Sequence, residues 1–397
     1  MIPRAIEPQL RRLAAQFPVI TITGPRQSGK TTLARNYFKE FDYVNLEEPE
    51  TRAYAQEDPK GFLGDHPAPL IIDEVQRVPE LLSYIQVRSD EAGRMGQYVL
   101  TGSHQPKLKA EVSQSLAGRT AILQLLPLSI AELFEAGISM DRDAYIHRGF
   151  LPKLHARPDA DPELEYSNYF ATYVERDVRQ LIHLQHQHEF EVFVRLLAGR
   201  TGQLLNLSSL SDDVGISATT LNEWLNVLEA SFIIFRLQPY FENFGKRLIK
   251  SPKIYFTEVG LAAWLLGIKS ADMVGRDPLL GNLFENMVIV EAMKARLNSG
   301  NQPDLYFFRD QRGFEIDLLL ANNRRIFPYE IKAGRTWSAG YAANLKSFCE
   351  RETKIRKGTV IYAGDLKRSG SPAAVNFKET ANTILRDAAQ AGSQVLL

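Results

Sequence analysis

The apolar positions of this chain fall into three successive patterns, and each predicts a different arrangement of elements. Over residues 1–180, short apolar runs recur between helical stretches: Val19-Ile-Thr-Ile22, Tyr43-Val-Asn-Leu46, Leu70-Ile-Ile72, Tyr98-Val-Leu100 and Ala121-Ile-Leu-Gln-Leu125. Such βα alternation predicts a parallel sheet covered by helices. Residues 186–262 shift to a helical period, with runs from Glu189 to Gly199, Leu207 to Val214 and Ser217 to Ala230 and a turn at Gly215. Strand-like pieces follow from Phe232 to Leu237 and Lys253 to Phe256, and three helices with a terminal hairpin make a winged helix-turn-helix shape. Residues 275–397 read as a second α/β domain: a helix (Leu279 to Leu297), strands at Leu305 to Phe308, Phe314 to Leu320 and Ile326 to Ile331, a helix (Tyr341 to Arg351) and a strand at Thr359 to Tyr362.

Directly after the first apolar run stands Gly24-Pro-Arg-Gln-Ser-Gly-Lys-Thr31, a GxxxxGK[ST] loop. Every fixed position in it has a physical reason. Gly24 and Gly29 permit a turn whose amide hydrogens face inward around phosphates, Lys30 reaches the β- and γ-phosphates, and the Thr31 hydroxyl serves Mg²⁺. The helix that begins there presents its positive end to the anion. The nucleotide-binding set is therefore Gly24, Pro25, Arg26, Gln27, Ser28, Gly29, Lys30, Thr31 and Thr32, with ATP and Mg²⁺ as cofactors. Downstream, Leu70-Ile-Ile-Asp-Glu74 is an apolar strand ending in two carboxylates. Asp73 suits the Mg²⁺ shell and Glu74 the polarisation of the attacking water. Thr101, in Val99-Leu-Thr-Gly-Ser103, is a candidate γ-phosphate sensor on the neighbouring strand. Arg119 and Arg176 are candidates for a cation that neutralises transition-state charge, within the chain or across the interface of a homo-oligomer.

Composition narrows the setting. At 397 residues the chain is long enough for two or three domains, and 44% apolar with 24% charged residues is a globular balance. Zero formal net charge removes any global pull toward nucleic acid or an anionic membrane. One cysteine, Cys349, excludes an intrachain disulfide framework. No apolar run approaches a membrane span, and the stretch Met1 to Phe17 reads as an amphipathic helix with Arg4, Arg11 and Arg12 rather than a secretory signal. The expectation is a cytoplasmic protein with no membrane partner.

Taken together, Gly-Pro-Arg-Gln-Ser-Gly-Lys-Thr31, Leu-Ile-Ile-Asp-Glu-Val-Gln76, Leu-Thr-Gly-Ser103 and Gly-Arg119 followed by Leu-Pro-Leu-Ser129 resemble the AAA-type ATPases that carry a DUF4143 C-terminal region. The resemblance extends through Tyr173-Val-Glu-Arg-Asp177, the middle block and Phe308-Arg-Asp-Gln-Arg-Gly-Phe-Glu-Ile-Asp317 to Glu330-Ile-Lys332. It implies ATP binding and hydrolysis on an AAA-type P-loop NTPase core.

In the third block, strand alternation puts Glu330 and Lys332 on one face and sets Asp317 apart from Phe314, Ile316 and Leu318. An acidic residue and an ExK pair on adjacent strands, with Glu285 on the opening helix, resemble the PD-(D/E)xK nuclease fold. The resemblance implies that Asp317, Glu330 and Glu285 bind Mg²⁺ or Mn²⁺ and that Lys332 positions the attacking water. The competing expectation is a nuclease-like fold kept for docking, its carboxylates satisfied by lysines.

The middle block argues against sequence-specific DNA reading. Its second helix, Ser217 to Glu229, has no Lys or Arg and carries Glu223 and Glu229, while Leu221, Trp224, Leu225 and Leu228 follow core spacing. The basic cluster Gly245-Lys-Arg-Leu-Ile-Lys250 with Lys253 is the one candidate for phosphate contact. His183, His186 and His188 have no companion ligand set and read as loop histidines. The whole reading is an α/β chain with three domains, an AAA-type P-loop ATPase (1–180), a winged helix (186–262) and a nuclease-like domain (275–397), acting on DNA or RNA. The alternative is a nucleotide-gated switch or scaffold whose C-terminal domain is inactive and docks a partner.

Overall fold

The computed structural model describes residues 2–103, 115–173, 187–240, 250–322, 325–351, 355–370 and 372–392. They form two compact units: Met1–Leu128 with Ala230–Phe232 and Leu297–Asn301, and Ser129–Glu229 with Ile233–Arg296 and Gln302–Leu397.

The first unit is built on five strands, β1 (Val19–Gly24), β2 (Asp42–Asn45), β3 (Leu70–Asp73), β4 (Tyr98–Ser103) and β5 (Thr120–Gln124), all parallel, in the order β2-β3-β4-β1-β5. Alternation explains why both faces are covered. Ile20 and Ile22 pack with Leu33, Val99 and Leu123 on one side, and Val19 packs with Leu70, Ile72, Tyr98 and Leu100 on the other. The crossover order places β4 between the strand that precedes the glycine-rich loop and the strand that ends in Asp73, so three strand ends converge on one edge. That edge holds the candidate site.

The second unit contains an antiparallel pair, β6 (Ile234–Leu237) and β7 (Lys253–Phe256), and a five-stranded mixed sheet of β8 (Leu305–Arg309), β9 (Glu315–Asn322), β10 (Arg325–Lys332), β11 (Thr359–Tyr362) and β12 (Ala373–Asn376), in the order β12-β11-β10-β9-β8. Strands β8, β9 and β10 run antiparallel, and β11 and β12 add in parallel. The helices Gln187–Gly199, Leu207–Val214 and Ala218–Ala230 precede β6, and Leu221, Trp224, Leu225 and Leu228 are buried as their spacing predicts. Strand β12 and the helix Thr380–Gly392 lie beyond the last expected element.

The block boundaries differ from the sequence pattern. The helices Ile130–Glu135, Arg142–Arg148, Pro152–Ala156 and Pro162–Tyr169, expected with the first block, belong to the second unit. Long-range polar bonds of that unit hold them: Glu291 accepts from the Ile130 amide at 2.8 Å, and Glu258 accepts from the Phe150 amide at 2.9 Å and the Tyr166 hydroxyl at 3.1 Å. The expected middle and C-terminal blocks likewise share one core. Buried Asn286 accepts from the Phe256 amide at 2.8 Å and donates to the Phe256 carbonyl at 2.7 Å, closing the helix Leu280–Asn298 onto β7.

Candidate functional site

The loop from Gly24 to Lys30 turns between β1 and the helix Lys30–Tyr37. Its shape depends on backbone that few residues adopt: φ is 150° at Gly24, 61° at Gln27 and 92° at Gly29. A Cβ on Gly24 would lie 2.1 Å from the Leu125 carbonyl oxygen. Gly24→Ala is therefore expected to cost about 3 kcal/mol through strain and overpacking, read as a fall in the denaturation midpoint. An unchanged midpoint would show that β5 can move away.

Lys30 is buried, and its ammonium donates to the Gly24 carbonyl at 3.0 Å and the Pro25 carbonyl at 2.8 Å. Burial lowers it to about 8, against the pull of Glu74 and Asp73. Thr31 donates to Asp73 at 3.0 Å from each carboxylate oxygen, and Tyr43 donates to the same carboxylate at 3.0 Å. Thr101, fully buried, also donates to Asp73. Three hydroxyls from three elements thus converge on one carboxylate. Glu74, at φ 57° where β3 ends, accepts from Ser103 at 3.2 Å and from Gln76. The donor set suits Mg²⁺, since the Thr31 hydroxyl and the Asp73 carboxylate are hard oxygen ligands side by side. The loop itself also has polar capacity in reserve, because Ser28 Oγ is buried with no hydrogen-bond partner among the described residues.

Sequence reasoning missed several groups here. Arg4 lies largely buried and donates to the Ser28 carbonyl at 2.8 Å and the Leu126 carbonyl at 2.7 Å, tying the loop to the end of β5. Tyr43, Gln76 and Ser103 reach the two carboxylates across turns or strands. Gln76 and Ser103 stand within the quoted motifs, whereas Arg4 and Tyr43 have no local signal.

Arg119 is a correction. It precedes the first residue of β5, at the edge opposite the loop, because the register pairs Thr120 with Val19 and Gln124 with Thr23. A strand of that length spans roughly 15 Å. Its guanidinium is committed to Asp90, at 2.6 and 2.9 Å, so it is not part of this chain's own nucleotide site. Arg176, His183, His186 and residues 245–249 lie outside the described residues; His188 is exposed.

In the second unit, Glu285, Asp317, Glu330 and Lys332 do come together, but as ion pairs rather than as a metal centre. Lys332 lies 3.1 Å from Asp317 and 2.6 Å from Glu330, and the Ile331 amide donates to Asp317 at 2.7 Å. Glu285 accepts from Lys253 at 2.9 Å and from the Tyr255 hydroxyl at 2.5 Å. Lys253 also lies 2.5 Å from Glu315. Among the described residues no group of three or more His, Cys, Asp or Glu side chains is placed to hold a metal ion, so the expected metal set Glu285, Asp317 and Glu330 is not assembled. The positive charge among these carboxylates comes from the ammonium groups of Lys253 and Lys332. Lys253 itself is a second correction: it is 2% exposed and is not available to a nucleic-acid phosphate.

Electrostatics follow this pairing. Burial opposes the charge of Asp317, yet Lys332 and Lys253 outweigh it and hold that carboxyl below the usual carboxylate range. Burial and the Asp317 charge push Glu330 up to about 8. Burial also raises Glu285, against Lys253.

A parallel sheet with a GxxxxGKT loop at one strand end, and with paired carboxylates ending the neighbouring strand but one, defines a P-loop ATPase-type core. Residues 16–134 match the family model "AAA domain", residues 140–272 "Domain of unknown function (DUF8612)" and residues 280–378 "Domain of unknown function (DUF4143)". The chain is 31% identical over 358 residues to "Uncharacterized protein Rv2008c" of Mycobacterium tuberculosis, covering 90% of this chain and 79% of that protein. It is 25% identical over 310 residues to an "Uncharacterized protein" of Haemophilus influenzae, covering 69% and 74%. The chain belongs to the family of the mycobacterial protein, with an AAA domain followed by a DUF4143 region. Solved structures with some likeness include the Walker-type ATPase PABY2304 of Pyrococcus abyssi, at 15% identity over 67% of this chain and 96% of that one, TM-score 0.46. Another is the Thermotoga maritima RuvB Holliday junction branch migration motor, at 19% identity over 58% and 86%, TM-score 0.30. Among the described residues no helix is long and apolar enough to cross a membrane.

Proposed function

We propose that the chain is a Mg²⁺-dependent ATPase that works as a nucleotide-gated switch, its second unit serving as the output. The observation that carries the proposal is the convergence of Thr31, Tyr43 and Thr101 on Asp73, with Glu74 next in the chain and Lys30 in the loop. The loop amides and Lys30 would bind the phosphates, Thr31 and Asp73 would hold Mg²⁺, and Thr101 would report on the terminal phosphate through Asp73. When bound, the ion supplies charge neutralisation on the β- and γ-phosphate oxygens. Glu74 would take the proton from the attacking water. Lys30→Ala is expected to abolish phosphate release from ATP; release at the wild-type rate by the purified variant would overturn the proposal.

The output unit has two readings. The order of one helix, three antiparallel strands, a helix and a strand parallel to β10 supports a PD-(D/E)xK nuclease-like architecture, and three helices before the β6–β7 pair support a winged helix. The pairing of every carboxylate in the ExK region with a cation or hydrogen-bond donor favours docking over cleavage. Incubating plasmid and single-stranded DNA and RNA with Mg²⁺ or Mn²⁺ decides between them. No cleavage is expected; cleavage that vanishes in Asp317→Ala would establish the nuclease instead. Stimulation of ATP hydrolysis by a nucleic acid would name the docked partner class.

A further inference from the structure

We propose that Lys253 is the resident cation of the C-terminal carboxylate cluster, standing where a divalent metal would have to sit and keeping the wild-type chain free of one there. The proposal deepens the docking reading of the second unit and does not depend on the ATPase.

Four carboxylates meet in this cluster: Glu285 from the helix Leu280–Asn298, Glu315 and Asp317 from β9, and Glu330 from β10. Lys253 enters from β7, which lies in the stretch matched by one family model, while all four carboxylates lie in the stretch matched by another. The cation is thus donated by a preceding segment of the same chain. Its ammonium contacts Glu285 at 2.9 Å and Glu315 at 2.5 Å and lies 5.6 Å from the Phe307 ring centroid. These carboxylates and the aromatic face account for its surroundings without solvent, and its side chain is 3% exposed. Backbone geometry fixes the approach: Lys253 pairs with Leu237 across β6–β7 and bridges to Leu204. The backbone at Lys253 is therefore held on both edges, by β6 and by the bridge to Leu204, while Glu285, Glu315 and Phe307 enclose its side chain.

Charge counting gives the consequence. With Glu330 protonated, the carboxylates of Glu285, Glu315 and Asp317 face Lys253, Lys332 and Arg309, the last 2.9 Å from Glu315, so three formal negative charges meet three positive ones. A divalent ion added to that set would leave a net positive charge inside a buried cluster, which is unfavourable. It would also need several oxygen ligands, and Lys253 and Lys332 already engage one oxygen of each of the four carboxylates. Removing Lys253 leaves one uncompensated negative charge, and a second once Glu330 releases its proton, among carboxylates from three elements, which is the condition a hard divalent ion satisfies.

The test uses the full chain without nucleotide and follows Mn²⁺ binding by the loss of the free-ion electron paramagnetic resonance signal. Lys253→Met is expected to bind one additional Mn²⁺ at least about tenfold more tightly than any Mn²⁺ bound by the wild type. That extra binding should disappear when Asp317→Asn is added. Because Lys253→Met strips a buried counter-ion, Lys253→Gln, which removes the charge but keeps a hydrogen-bond donor facing Glu285 and Glu315, is measured in parallel, with folding checked by circular dichroism. Lys253→Gln should fold and show the same additional Mn²⁺. A wild-type Mn²⁺ site lost in Asp317→Asn would overturn the proposal. So would a folded Lys253→Gln with no extra Mn²⁺, or extra Mn²⁺ that survives Asp317→Asn. Loss of ATP hydrolysis in Lys30→Ala is read separately, so failure of either idea leaves the other standing.

Discussion

Glu74→Gln is expected to retain ATP binding within about threefold of the wild type while turnover falls by about 10²–10³-fold, the range general-base and water-positioning carboxylates supply. The two effects separate because Asp73 and Glu74, adjacent in the chain, have different partners. Asp73 is engaged by the Thr31, Tyr43 and Thr101 hydroxyls, and in the proposed mechanism it serves ion binding. Glu74 leaves β3 in a left-handed backbone conformation that turns its carboxylate away from Asp73 toward Ser103 and Gln76. Glutamine keeps an acceptor oxygen for those two donors, so the loop has no reason to rearrange. What disappears is the negative charge that accepts a proton. Fluorescent ATP-analogue binding and phosphate release on the same preparation make the comparison; unchanged turnover would remove Glu74 from the chemistry.

The second large effect concerns pH. Glu330 is buried, and its carboxyl is raised to about 8 from an ordinary value of 4.5. Between those values the folded chain holds a proton that the unfolded chain has released. By linkage, the contribution of this group is fully present below about pH 4.5 and is lost as pH rises through about 8. The span corresponds to a loss on the order of 4 kcal/mol from pH 5 to pH 8, with neighbouring groups adding their own slopes. Glu330→Gln fixes the neutral state. It should therefore flatten the fall in stability over that window and raise the denaturation midpoint at pH 8.5 relative to the wild type. Denaturant titrations at several pH values read this directly, and an identical slope in the two proteins would mean that Glu330 is ionised throughout. Such ionisation would also restore the charge that a metal-binding role needs.

Much of the first unit is legible in the sequence because its signals are local. The phosphate loop is contiguous, the five strands are apolar runs between helices, and Asp73-Glu74 closes one of them; each lies within a residue or a few of its expected bounds. The winding of those strands is not legible, and that is why Arg119 looks like a candidate from sequence. Register puts it at the opposite end of the sheet, where Asp90 takes it. Arg4, Tyr43 and Lys253 escape for a related reason: each acts on a residue 24 or more positions away, and no spacing rule links such pairs. A lysine at the head of the apolar run Ile254-Tyr-Phe256 reads naturally as an exposed strand end. Only the arrival of β9 and the helix Leu280–Asn298 around it turns it into a buried counter-ion. The boundary at Leu128 is hidden likewise, since it is set by Glu258 and Glu291 reaching back to Phe150 and Ile130.

Strand β4 carries Thr101, bonded to Asp73, and two residues later Ser103, bonded to Glu74. Because side chains two apart along a strand share a face, both contacts ride on one rigid rod. A slip of β4 along its neighbours of even a fraction of its roughly 3.3 Å repeat disturbs the hydrogen bonds to Asp73 and to Glu74 together. The strand acts as a common lever on the two carboxylates, so with the roles proposed for Asp73 and Glu74 a displacement of β4 would move affinity and turnover in step instead of tuning them separately.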